Sequence, residues 1–128
     1  MTRYEKGANF ERELVAKFWE HGWASMRAAG SGTTSFPVPD VIGIKDNKII
    51  IVECKTTKKD RLSLKKDILA LKKFSGICNG NAYIAIKFYK KGPRFFDLNK
   101  LLSKGDYTIT IHDQFLDLES ILGKQKTL

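Results

Sequence analysis

Apolar residues near the start of the chain recur at the spacing of an α-helix. Between residues 7 and 21, the apolar positions follow Glu11 by three, four and seven residues, at Leu14, Val15 and Phe18, which predicts one apolar helix face. Glu11 lies on that face, where an unpartnered carboxylate is costly to bury. It belongs either to a functional site or to a helix start that keeps the carboxylate in water.

Further along the chain, two short runs rich in β-branched residues predict a β-hairpin. The runs cover residues 40–44 and 49–53, and Asp46-Asn47 between them suits a two-residue turn. That turn fixes a register in which Asp40 faces Glu53 across the hairpin. Directly opposed side chains lie about 5 Å apart.

Two carboxylates at this separation favour a bound metal ion, with Lys55 on the same face. Their repulsion is about 3 kcal/mol at ~5 Å and an effective dielectric near 20, and a divalent cation between them would reverse it. Hard oxygen ligands suit Mg²⁺ or Mn²⁺, which keep water and accept phosphate oxygens, better than zinc. The alternative is structural: Asp40 ends a turn, and Glu53 pairs with Lys55 at a sheet edge.

A glycine-rich polar stretch, residues 27–35, joins the predicted helix to the hairpin and is typical of a loop. It could present Arg27, the Ser31 hydroxyl and free backbone N–H groups to a phosphate; the alternative is a plain flexible linker. No Gly-Lys-Ser/Thr follows, which excludes a nucleotide-binding P-loop. The Gly-x-Ser-x-Gly setting of an acyl-transfer nucleophile is absent as well.

In this order the motifs resemble those of the archaeal Holliday junction resolvases, within the PD-(D/E)xK nuclease superfamily. The matching residues are Glu11, Arg27-x-x-x-Ser31-Gly32, Pro39-Asp40 and Glu53-x-Lys55. The resemblance covers residues 5–90 and is densest between 7 and 57. Beyond Tyr89 no motif matches.

The resemblance implies a role for each catalytic position. Asp40 and Glu53 would hold the metal, and Glu11 would complete the acidic site directly or through water. Lys55 would orient the attacking water or stabilise charge at the scissile phosphate.

It also implies DNA contacts, an assembly and a fold. Arg27 and Ser31 would contact the DNA backbone near the cut, and Ser31 counts among the catalytic positions. Family members act as homodimers on four-way junctions. The expected fold is a single restriction-endonuclease-like α/β domain, with a central mixed β-sheet flanked by helices.

Composition agrees with a polyanionic partner. The 128 residues suffice for one domain, and 23 Lys plus Arg against 14 Asp plus Glu give a net charge of +9. The basic cluster nearest the acidic site is Lys58, Lys59 and Arg61, which we expect to bind DNA phosphates; a merely solvated face is the alternative. With no apolar run near the ~18 residues of a membrane span and no signal-peptide pattern, we expect a cytoplasmic, nucleoid-associated protein.

The cysteine and histidine residues do not show the pattern of a second metal site. Cys54 and Cys78 stand alone, without the CxxC or Cys/His spacing of a zinc site, and are expected to be reduced and partly buried. His21 suits a helix C-terminus and His112 a strand end.

The later pattern predicts a helix over residues 62–75 stopped by Gly76, followed by strands over 82–89, 94–96 and 107–111. Phe95, Phe96 and Phe115 are expected in the core, with base stacking by an exposed ring as the alternative. The apolar residues of the last segment either pack on their own domain or form a dimer seam, with exposed strand edges as the competing place. The seam candidates are Phe115, Leu118, Ile121 and Leu122, and residues 123–128 are expected to fray.

Together these features predict a Mg²⁺-dependent endonuclease, with Mn²⁺ as a substitute, that resolves four-way DNA junctions by paired symmetric nicks. One alternative is a nuclease of the same superfamily acting on other duplex DNA. The other is a basic architectural protein that binds DNA without cutting, which the intact acids and Lys55 disfavour.

Overall fold

The computed structural model describes residues 2–30 and 33–126. These residues form four helices and seven strands. In chain order they are α1 (Arg3–Glu20), β1 (Ala24–Arg27), β2 (Val41–Lys45), β3 (Lys48–Thr57), β4 (Arg61–Ser63), α2 (Lys65–Cys78), β5 (Asn81–Phe88), β6 (Pro93–Asp97), α3 (Leu98–Lys104), β7 (Thr108–Thr110) and α4 (Leu118–Lys126).

Five of the strands form one mixed sheet in the order β1-β2-β3-β5-β6. The central β3–β5 pair is parallel and the other pairs are antiparallel. Strands β4 and β7 pair separately as a small antiparallel ribbon. The predicted central mixed sheet is confirmed.

Each face of the sheet is covered by helices. Phe10, Leu14 and Phe18 of α1 pack on one face, as the helical spacing predicts, and α4 joins them there. Ile68 and Leu71 of α2 pack on the other face, together with α3. The sheet is therefore the middle of three layers.

The hairpin has the predicted register. Ile42 pairs with Ile51 and Ile44 with Ile49, and Asp46-Asn47 both adopt positive φ, at 49° and 66°. Two central residues with positive φ make the turn type that matches strand twist. The ladder with β2 ends at Val52, so β3 continues for five residues beyond its last partner in β2.

Gly43 in β2 sets how closely α1 approaches this hairpin. A Cβ atom at position 43 would lie 2.6 Å from Cε1 of Phe18, a distance that real Cβ atoms do not tolerate. The Phe18 ring is fully buried against the sheet. Only glycine fits there without moving the Phe18 ring or the helix that carries it.

Several predicted boundaries were wrong. Helix α2 begins at Lys65 rather than residue 62, because Leu62 belongs to the β4–β7 ribbon. It also runs past Gly76 to Cys78, since Gly76 stands in open space and Asn79 supplies the left-handed ending, with φ 58°. Strands β1 and β4 and helix α3 had no counterpart among the predictions.

The predicted dimer seam at the end of the chain is also wrong in part. Ile121 and Leu122 are buried in their own domain's core, and Leu118 is half-buried against it. Phe115, expected in the core, is instead 47% exposed. Helix α4 includes residues 123–126 of the segment expected to fray, and 127 and 128 lie outside the described residues.

None of the helices in the described ranges is long and apolar enough to span a membrane.

Candidate active site

The predicted acidic residues meet at the point where β3 extends beyond its pairing with β2. Asp40 immediately precedes β2, and Glu53 is the first residue of β3 beyond the ladder between them. Instead of continuing the ladder, the Asp40 N–H donates to the Val52 carbonyl at 3.2 Å. The two side chains nevertheless meet, because the carboxyl groups of Asp40 and Glu53 share a hydrogen bond.

Two further hydrogen bonds hold Asp40, which is only 6% exposed. Its Oδ2 accepts a hydrogen bond from the Cys54 N–H at 2.8 Å. Its carbonyl accepts another from the Ala28 N–H at 2.9 Å, which ties it to the end of β1. The carboxylate therefore points to one place with little freedom, as a ligand or catalytic group requires.

The carboxyl group of Glu53 is strongly perturbed by its surroundings. Burial first and the negative charge of Asp40 second raise the pKa of Glu53 to about 9, against the opposing effect of Lys55. Beside it lies a cleft of about 30 Å³, lined by Pro37, Val38, Pro39, Glu53, Asp67, Ala70 and Leu71. Perturbed carboxyl groups beside a cleft are typical of functional sites.

Glu11 reaches the same region from α1, and Arg27 pairs with it. The Arg27 Nε donates to Glu11 Oε1 at 3.1 Å, and the two side chains are 21% and 15% exposed. Burial and then the charge of Asp40 raise the pKa of Glu11, while Arg27 lowers it. Arg27 thus binds a protein carboxylate beside the site.

Lys55 points from β3 toward α2, where sequence reasoning missed its partner. The Lys55 Nζ lies 3.3 Å from Oδ1 of Asp67, and both side chains are half-buried. The negative charge of Asp67 also contributes to the raised pKa of Glu53. The available signal was that Asp67 is the only acid in α2, next to two lysines.

The chemistry of this donor set fits a divalent cation. Asp40 and Glu53 place two hard oxygen groups together with a destabilising excess of negative charge, which a cation would neutralise. Within the described parts of the chain, no three His, Cys, Asp or Glu side chains form a ligand cluster. Glu11 would complete the acidic site directly or through water, since Mg²⁺ commonly keeps several waters.

The other predicted positions lie around this centre. Lys58 and Lys59 follow β3 in an exposed turn, and the exposed Arg61 begins β4. Ser31 lies outside the described residues. The two cysteines are unpaired and half-buried as predicted, and burial raises the pKa of the Cys54 thiol well above its usual value.

Comparison with known proteins decides the family. The model of the archaeal Holliday junction resolvase family (hjc) matches residues 2–128. The chain belongs to this family.

Among the archaeal Holliday junction resolvases, the chain is 36% identical to the crossover junction endodeoxyribonuclease Hjc of Archaeoglobus fulgidus over 124 residues, covering 93% of this chain and 90% of the relative. It is 34% identical to Hjc of Methanocaldococcus jannaschii over 131 residues, covering 98% and 93%. The solved structure of Archaeoglobus fulgidus Hjc matches with a TM-score of 0.78 at 29% identity, over 91% of this chain and 98% of that one. The expected restriction-endonuclease-like fold is confirmed.

Proposed function

We propose that this protein is a metal-dependent endodeoxyribonuclease that resolves four-way DNA junctions. The observation that carries the proposal is the Asp40–Glu53 carboxyl pair at the open edge of β3, with Lys55 two residues further on. Membership of the resolvase family supplies the substrate class, and the net charge of +9 suits it.

Asp40 and Glu53 would hold Mg²⁺, with Mn²⁺ able to replace it. When bound, the ion would supply an activated water and stabilise charge on the phosphate. Lys55 adds a positive charge on the same strand, where it stabilises the developing phosphate charge. Arg27 and Ser31 are proposed to contact the DNA backbone, which requires Arg27 to share or exchange its contact with Glu11.

We further propose that the active unit is a homodimer, because two symmetric nicks require two sites and one chain holds one. Since Ile121 and Leu122 are buried, we place the seam on the α2 side of β1 and β2. Met26 and Ile44 are 66% and 48% exposed there, and their strand register puts them on one face. The C-terminal end of α2 adjoins this face, because Gly80 packs on Ile49, and it carries Ile77, 81% exposed.

A second copy of the chain is the occupant that we assign to this seam. An edge strand with exposed apolar side chains is a surface that a soluble monomer would otherwise have to protect. A two-fold interface would cover the same residues on both copies at once.

Cleavage of labelled DNA tests the proposal. With Mg²⁺, the protein should cut a four-way junction at paired positions and leave a linear duplex of the same sequence largely intact; EDTA should stop the reaction. Equal cutting of both substrates would show that the protein is a nuclease without a preference for junctions. Tight binding without any cutting would favour the architectural DNA-binding alternative.

A further inference from the structure

An exposed aromatic ring stands at the end of β5, outside the site described above. Tyr89 is 58% exposed and directly follows β5, whose last residue Phe88 pairs with Thr57 of β3. The turn beyond it is closed by a hydrogen bond from the Lys91 N–H to the Phe88 carbonyl at 2.9 Å. The ring is therefore held on an ordered turn at the end of the parallel strand pair.

Two lysines from different parts of the chain converge on this ring. The Lys58 Nζ lies 5.8 Å and the Lys90 Nζ 5.4 Å from the centroid of Tyr89. Lys59 and Lys91 adjoin them in sequence, and all four lysines are exposed. Over the described ranges neither Lys58 nor Lys90 forms an ion pair, so the ring lies among positive charges that repel each other and favour an anionic ligand.

This cluster lies along the strand that carries the acidic site. Thr57 lies four positions beyond Glu53 on β3, which is about 13 Å along an extended strand. Strand β2 begins at Val41, opposite Val52, so it does not pair with this length of β3. About 13 Å corresponds to roughly four base steps along a DNA axis.

Lysines beside an exposed ring fit a ligand that offers phosphates and an accessible base. Aromatic side chains bind nucleic acid by stacking on bases, irrespective of base identity. Inside a continuous duplex each base is already stacked on its neighbours. At the branch point of a junction, the end of each arm can present a base to a protein ring.

We propose that Tyr89, Lys58 and Lys90 form a branch-point site, in which the ring stacks on an exposed base and the lysines bind the adjoining phosphates. The inference rests on the proposed junction-cutting function and assigns to this cluster the preference for branched over linear DNA. The acidic site then cuts a few base steps away.

Binding in EDTA tests the assignment without cleavage. Fluorescence anisotropy with a labelled four-way junction and a linear duplex of the same arm sequence would compare wild type, Tyr89→Ala and Tyr89→Phe. Tyr89→Ala should lose about tenfold in junction affinity, the size expected for one lost stacking contact, and far less in duplex affinity. Tyr89→Phe should match wild type, because stacking needs the ring and not the hydroxyl group.

Two matched controls separate this site from general surface effects. Phe115→Ala removes another exposed aromatic ring, whose centroid lies 4.3 Å from Cζ of Arg94. This variant should leave the junction affinity and the duplex affinity unchanged. Lys58→Ala with Lys90→Ala should weaken junction binding more than Lys45→Ala with Lys48→Ala, which removes the same charge at the opposite end of β3. Melting temperatures equal to wild type would show that each variant is folded.

Equal losses on the two DNAs in Tyr89→Ala, or a loss on neither, would overturn the assignment. The proposed function fails separately: wild type that binds and cuts junction and duplex equally would refute the junction preference itself, and the branch-point site with it. If wild type is selective and Tyr89→Ala remains so, only the branch-point site is refuted.

Discussion

At the scale of single residues, the site is defined by carboxyl groups placed where their charge is unfavourable. Asp40 is buried and held by backbone hydrogen bonds, and it raises the pKa of Glu53 together with burial. A protein optimised only for stability would pair or remove such groups. Here the repulsion between the two carboxyl groups is offset only when a cation or a proton is present. Metal binding, pH and stability are therefore linked.

The first prediction separates binding from chemistry. Asp40→Asn or Glu53→Gln should abolish cleavage, because each removes a proposed metal ligand. Junction affinity should stay the same or rise, because neither substitution adds negative charge facing phosphate and each removes a carboxyl group that can carry one. Gel-shift and cleavage assays on one preparation measure both; near wild-type cutting by either variant with Mg²⁺ would refute the metal assignment.

A second prediction concerns the stability of the metal-free protein. The pKa of Glu53 is raised from 4.5 to about 9 in the folded state, so the folded state favours the protonated form. Its stabilising contribution is complete below about pH 4.5 and is lost as the pH rises toward 9, with a slope of at most about 1.4 kcal/mol per pH unit.

Denaturant melts in EDTA between pH 5 and 9 would measure that slope, with Glu53→Gln as the matched control. The wild type should lose stability relative to the variant as the pH rises, and Mg²⁺ should reduce the loss. Parallel stability curves for the two proteins would show that Glu53 titrates normally.

At the scale of elements, the sequence predicted those parts whose pattern is local. The hairpin, its turn and its register followed from β-branched runs around Asp46-Asn47, and α1 followed from the spacing after Glu11. Strands β1 and β4 and helix α3 were not predicted, because three- to seven-residue elements hold too few positions to show a period. Their formation depends on pairing partners far away in the chain.

The same limit applies to the site. Glu11, Asp40, Glu53 and Lys55 could be predicted because three lie on strongly patterned elements and Asp40 directly precedes one. Asp67 could not, because its role depends on how α2 crosses back over β3. That crossing is set by burial of Ile68 and Leu71, which sequence spacing alone does not orient.

A third prediction therefore concerns the contact between α2 and β3. Asp67→Asn should slow cleavage several-fold with unchanged junction affinity, because Lys55 loses the partner that holds it beside Glu53. Asp67→Glu should retain more activity, since it keeps the charge. Single-turnover rates at saturating protein check this, and an affinity loss equal to the rate loss would indicate a DNA contact instead.

At the scale of the whole molecule, one acidic site per chain makes assembly part of the proposed mechanism. The surface of the described residues carries two separate features. They are the proposed apolar seam with the exposed Met26, Ile44 and Ile77, and the basic end of β3 and β5. Because they lie at different parts of the sheet, association and DNA binding should be separable by mutation.

The fourth prediction uses mixed subunits. Wild type mixed with Glu53→Gln should give heterodimers that nick one strand of the junction and leave its symmetric partner intact. Ile44→Asp with Ile77→Asp should shift sedimentation toward the monomer. If that double variant remains dimeric, the seam is elsewhere; a monomeric wild type that still makes paired cuts would refute the homodimer.

The contact between Gly43 and Phe18 has a consequence in genetic terms. A side chain at position 43 must displace the buried Phe18 ring or α1, which carries both Phe18 and Glu11. Gly43→Ala should therefore behave as a loss-of-function allele although it alters no site residue. Shortening the opposing ring should create the missing space, so Phe18→Leu should act as an intragenic suppressor of Gly43→Ala. Cleavage rates and melting temperatures of the two single variants and the double variant would measure this suppression. The double variant should be more active than Gly43→Ala alone.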